Sequence, residues 1–200
     1  MAFELTNDCL RQAIEKKGWG TPESGKLHVF GLRLCVPWSG APNYVTLVNK
    51  QFNAYTSTIG LFGAGFQLWL GSVDPGDDYT FDPSNPAGCA HLCDGKWLYQ
   101  KGSHKGHPAL VQAGPVTIWR DSDEDFYQDP SEAEQPGQWI GINIHAGGTS
   151  DEINDWSAGC QIIKGGWDGD PWTTFYERVE AAGQDTYNYY LLPASDVAPD

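Results

Sequence analysis

Apolar positions recur at helical spacing only near the two ends of the chain. Leu10, Ala13 and Ile14 share one face of residues 7–17, with Thr6 as an N-cap and Gly18 as a stop. Phe175 and Val179 do the same for residues 171–182, which Asp170-Pro171 opens as N-cap and first-turn proline and Gly183 closes. Between these helices short β-rich runs dominate. Residues 27–36, with Val29, Leu32 and Leu34 apolar, read as a strand ending at Pro37. Residues 43–53 and 55–70 are aromatic and β-branched runs broken by glycines, which predicts two or three more. Val116, Ile118 and Arg120 alternate with Thr117 and Trp119, and Ile142 and Ile144 with Gly141, Asn143 and His145, as half-buried strands do. Further strands are expected at 89–93, 109–112, 161–163 and 186–192, and the tail 193–200 is expected to fray.

With 200 residues, 24 of them Gly and 13 Pro, this pattern predicts a single domain over 1–200 that is mostly β with a few helices, beginning with a helical segment at 1–20. A net charge of −14 and a pI near 4.5 argue against nucleic acid or an anionic membrane as partner, since both need clustered Lys and Arg. No apolar run reaches the length of a membrane span. Met1-Ala2-Phe3-Glu4 lacks a basic leader, so synthesis in the cytoplasm without a signal peptide is expected. Five Cys cannot all pair, which fits reduced thiols.

The chemistry concentrates in Gly141-Ile142-Asn143-Ile144-His145-Ala146-Gly147-Gly148 and Trp156-Ser157-Ala158-Gly159-Cys160-Gln161. His145 is placed at a strand end and Cys160 at the entrance to the next strand, after small residues that admit a ligand close to the backbone. A Cys beside a His is an activated nucleophile, and the N–H groups of Gly159 and Cys160 are positioned to hold an oxyanion. Ser157 is expected to shape the turn and orient His145 by a hydrogen bond. His104, in a glycine-rich loop, is the first candidate for a further cleft residue, and Asp74 and Trp156 are candidates for binding substrate. Cys89, His91, Cys93, His104 and His107 carry zinc-type ligands, at a spacing irregular for the common fingers, and neither metal nor cofactor is assigned to them. The acidic stretch 121–134 reads as a solvated loop without EF-hand spacing.

His145-Ala146-Gly147-Gly148-Thr149 followed by Ser157-Ala158-Gly159-Cys160 resembles the active-site signature of the L,D-transpeptidase catalytic domain, and Gly71-Ser72-Val73-Asp74-Pro75-Gly76 resembles a turn preceding a strand in that domain. The first segment departs from the family by an insertion after His145. The second carries Ala158 where many members have His, and Gln161-Ile162 where Arg or Asn is usual. The resemblance implies an L,D-transpeptidase-like β-sandwich in which Cys160 and His145 perform acyl transfer on peptidoglycan stem peptides, as an endolysin-like, bacteriolytic hydrolase acting on the cell wall after release or delivery. Two other classes compete: a muramidase using Asp74 with Asp151, Glu152 or Asp155, and a non-catalytic wall-binding or virion protein.

Overall fold

The computed structural model describes residues 2–199; Met1 and Asp200, which belong to the expected segments 1–20 and 193–200, lie outside the described residues. In chain order the elements are β1 (Ala2–Glu4), α1 (Asn7–Lys16), β2 (Leu27–Arg33), β3 (Cys35–Pro37), β4 (Tyr44–Leu47), β5 (Ser57–Gly63) and β6 (Gln67–Ser72). There follow α2 (Asp77–Phe81), β7 (Cys89–Leu92), β8 (Gly95–His104), β9 (His107–Gln112), β10 (Val116–Asp121) and β11 (Gln135–Gln138). The last are β12 (Ile144–Ala146), β13 (Gln161–Ile163), α3 (Asp170–Ala181) and β14 (Thr186–Pro193). The protein is mostly β, and its main sheet is a closed, barrel-like one in the order β12-β13-β6-β5-β2-β14-β8-β9, with β9 returning to β12 through Leu110 and Ile144. Two small sheets flank it, β1-β4-β3 and β11-β10-β7.

Two large cores hold the sheet, one on each face, and a third, smaller cluster joins Tyr55, Ile153 and Cys160 to Ile162 of β13. Val29, Ile59, Leu61, Tyr189 and Leu191 pack around Trp172, Phe175 and Val179 of α3. Phe30, Leu32, Phe62, Tyr190 and Leu192 pack around Leu10, Ala13 and Ile14 of α1. Because β2, β5 and β14 bury both faces, they read as near-continuous apolar runs without strict alternation. Each core side chain contributes roughly 1.5–3 kcal/mol of burial, so the strands that supply both cores anchor the barrel.

Several expectations are corrected. The strand expected over 27–36 breaks at Leu34, which has φ +58° and lies exposed, and Cys35 onward joins the β3-β4 sheet. The N-terminal segment carries β1 ahead of α1, paired with β4. The Asp74-Pro75-Gly76 turn leads into α2 rather than into a strand, and α3 takes Gly169 as its N-cap with Asp170 already helical. The tail is packed up to Val197: Ala194 and Val197 join the α1 core, and Lys17 pairs with Asp196 at 2.9 Å. The acidic stretch after β10 is folded on its own carboxylates rather than loosely solvated. Asp121 accepts the N–H groups of Asp125 and Phe126, Glu132 accepts that of Ser122, and Phe126 is buried against Phe52 at 4.5 Å. Among the described residues no helix is long and apolar enough to cross a membrane.

Candidate functional site

β12 and β13 run parallel, with Ile144 opposite Gln161 and His145 opposite Ile162. Ile144, Ala146, Ile162 and Ile163 are fully buried and pin both strands. His145 therefore sits in the middle of a short buried strand, not at a strand end, while Cys160 lies immediately before β13 as expected. One ligand atom from each of His104, His145 and Cys160 lies within 4.8 Å of the others.

Hydrogen bonds assign the imidazole protons. His145 Nδ1 is 2.8 Å from the Ala146 carbonyl, which only accepts, so Nδ1 carries the proton and Nε2 the lone pair. That Nε2 is buried and has no partner among the described residues. Asn143 Oδ1 accepts the Gln112 N–H at 3.2 Å, which turns the Asn143 amide so that Nδ2 donates to His104 Nδ1 at 3.0 Å. His104 thus carries its proton on Nε2. It lies at the end of β8, in a hairpin whose tip is Lys105-Gly106, rather than in a free loop.

The imidazoles belong to one aromatic stack. The His104 and His145 rings lie 4.2 Å apart at 11°, the His145 and Trp167 rings 5.4 Å apart at 18°, and His107 lies on Trp167 at 4.4 Å and 10°. Lone pairs of two near-parallel rings lie in separate planes, so the two imidazoles do not converge on one ion in this arrangement. Burial pushes the Cys160 thiol up to about 11, with the Asn143 N–H at 3.4 Å acting weakly in the other direction. Burial, aided by His104, pushes His145 down to about 3. The resting pair is a neutral thiol, bonded to the Gly141 carbonyl at 3.7 Å, beside a neutral imidazole.

The turn before Cys160 is closed on itself. Ser157 Oγ donates to the Cys160 carbonyl at 2.8 Å and accepts the Gly159 N–H at 3.1 Å, so it shapes the turn but does not orient His145. With the Gly159 N–H engaged, the Cys160 N–H is left without a partner among the described residues. Gly159 holds φ +117°, and a Cβ there would run into the Ala90 carbonyl oxygen. Gly159→Ala is expected to lower the melting temperature and slow Cys160 alkylation together, because the backbone shift that relieves the clash moves the neighbouring thiol. Thermal unfolding and a timed iodoacetamide reaction check this; an unchanged alkylation rate contradicts it.

A cavity of about 360 Å³ opens beside His145, and Lys105, Asp155, Trp156 and Trp167 line it. Asp74 does not. It lines a separate cavity, 2.9 Å from Arg33 and 3.3 Å from His91. Burial alone would raise its pKa, but the Arg33 guanidinium and His91 outweigh it and hold the carboxyl far below its usual range. The other zinc-type residues do not converge. His91 is stacked on Trp119 at 4.0 Å, burial pushes Cys89 up to about 11 and Cys93 up to about 12, and His107 is in the Trp167 stack. Trp69 is in the core and Trp97 donates to the Cys93 carbonyl.

Sequence reasoning missed Asn143. Its signal was legible, since residues two apart on a strand share a face and Asn143 stands two before His145. No family model, no curated protein and no solved structure matches this chain.

Proposed function

We propose that this protein is a peptidoglycan hydrolase of L,D-transpeptidase-like type, including that family's sandwich arrangement, with Cys160 as nucleophile and His145 as base. The observation that carries the reading is the buried, unpartnered Nε2 of His145, on a ring that clusters with Cys160 and His104 where two parallel strands meet. His145 Nε2 takes the thiol proton as the sulfur attacks a stem-peptide carbonyl, and the Cys160 N–H meets the oxyanion. The imidazolium then returns its proton to the leaving amine, leaving a thioester. Water resolves the thioester in hydrolysis, and an amine would resolve it in cross-linking. His104, held by Asn143, supports the face of the base, while Trp156 and Trp167 wall the substrate cavity.

One acid, Asp155, lines that cavity, and Asp74 is committed to Arg33 elsewhere, so the geometry favours acyl transfer over the paired carboxylates of a muramidase. The burial of Cys160, 9% exposed, favours a second reading, a wall-binding protein without turnover. Incubation with purified sacculi, followed by mass spectrometry of the soluble fragments, separates these. New peptide termini with wild type and none with Cys160→Ala support the proposal. Free reducing ends that persist in Cys160→Ala indicate glycan cleavage, and binding without release indicates the wall-binding protein.

A further inference from the structure

A second cavity, about 420 Å³ and used by none of the roles above, borders the segment that leads into Cys160. Ala158 and Ile140 line it on the side of that segment. Ala158 stands two residues before Cys160, and Ile140 precedes Gly141, whose carbonyl receives the thiol. Its lining also includes Tyr79, Ser84, Asn85 and Arg120. β10 places Arg120 opposite Ala90 of β7, the residue against which Gly159 packs, so the guanidinium and the turn before the nucleophile are held by one short stretch of backbone.

Arg120 is unusual for this chain. Asp and Glu outnumber Lys and Arg 26 to 12, yet Arg120 makes no ion pair among the described residues. Its one hydrogen bond is from a terminal nitrogen to the Gly88 carbonyl at 2.9 Å. A guanidinium has five N–H donors in a fork that matches a carboxylate, so most of this donor set is unused, in a cavity whose other polar groups include a hydroxyl, a phenol and an amide. Arg33, by contrast, is consumed by Asp74, Asp94 and the Leu92 carbonyl.

We infer that this cavity is a carboxylate-recognition subsite and that Arg120 determines specificity by gripping a carboxylate of the peptide presented to Cys160. The inference rests on the proposed acyl-transfer function for the identity of the ligand as a peptide, but not for the binding of the carboxylate itself. Arg120 touches neither the sulfur nor the base, so it acts on affinity and register and not on the chemical step.

The test uses the full chain carrying Cys160→Ala, so that no turnover is needed. The probes are N-acetyl-glycyl-alanine in L and D forms, each as the free acid and as the C-terminal amide, titrated by NMR with the backbone N–H groups of Ala90 and Ala158 in the cavity wall as reporters in every variant, and the Arg120 side-chain Nε–H as a further one where Arg120 is present. The acid is expected to shift that resonance and to bind about tenfold or more tighter than the amide, the magnitude of one charge-assisted pair. Arg120→Gln should remove the preference, and Arg120→Lys should restore part of it by charge without the fork. Equal affinities for acid and amide, or a preference that survives Arg120→Gln in a variant with unchanged melting temperature, overturn the inference. A preference that depends on Arg120 in a protein whose wild type releases nothing from sacculi would sink the proposed function alone. Cys160-dependent release that is indifferent to the carboxylate would sink the subsite alone.

Discussion

His145→Gln is expected to reduce kcat/KM on peptidoglycan fragments by about 10²–10⁴-fold, the usual contribution of a positioned general base. Gln keeps an N–H that can reach the Ala146 carbonyl but has no basic lone pair to offer the thiol, so the loss should fall on kcat rather than KM. His104→Gln removes a neighbour and not the base, and its effect should be smaller. The pH profile is the more discriminating readout. In an ion-paired cysteine enzyme, activity needs a thiolate beside an imidazolium; here burial favours both neutral partners, with His145 down to about 3 and Cys160 up to about 11. Between pH 5 and 9 neither group changes charge at those values, so the wild-type profile should lack an acid limb near the ordinary histidine value. A limb with an apparent pKa between 6 and 7 that disappears in His145→Gln would show that the base is hydrated in the working enzyme.

How much of this was legible in the sequence depends on which physical signal each residue carries. The two longer helices, α1 and α3, were readable because Thr6, Gly18, Pro171 and Gly183 mark their ends locally, whereas the short α2 was not. Closure of the sheet was not, because the pairing of Ile144 with Leu110 is a long-range event that leaves no period in either strand. The nearness of Cys160 and His145 was anticipated from strand-like spacing together with the resemblance, yet their electrical state was not. The neutral pair comes from burial beneath strands β12 and β13, with His104 brought from the distant β8-β9 hairpin. Ser157 shows the opposite error, where the residue type was right for a turn and its partner was wrong, since its hydroxyl is taken by Gly159 and Cys160, two and three residues away. Asp74 was credited to the cleft on its turn position alone. Only tertiary structure brings Arg33 against it.

The second large effect expected is loss of stability in mild acid, traceable to one ring. His145 titrates at about 3 in the folded protein, below its ordinary 6.5, because burial penalises its charged form and His104 and Lys105 add to the penalty while the Ala146 carbonyl opposes it. Across the interval between those values the unfolded chain binds a proton that the folded chain refuses, so stability rises with pH through this window and is lost as pH falls through it. The slope is about 1.4 kcal/mol per pH unit at full effect, or about 3 kcal/mol by pH 4. For a chain of this size that is about 10 °C in melting temperature. Burial also lowers His104 and His28, so the wild-type curve is a sum, and the contribution of His145 is isolated by difference. Asp74 acts in a lower range, because a carboxyl depressed on folding gives stability above its ordinary value and loses it as pH falls further. Melting temperatures from pH 7.5 to 4 should therefore fall less steeply for His145→Gln than for wild type, even if the variant is less stable at neutrality. Parallel curves would mean that His145 takes up a proton in the folded state as readily as in the unfolded one, and the neutral thiol and imidazole pair would go with it.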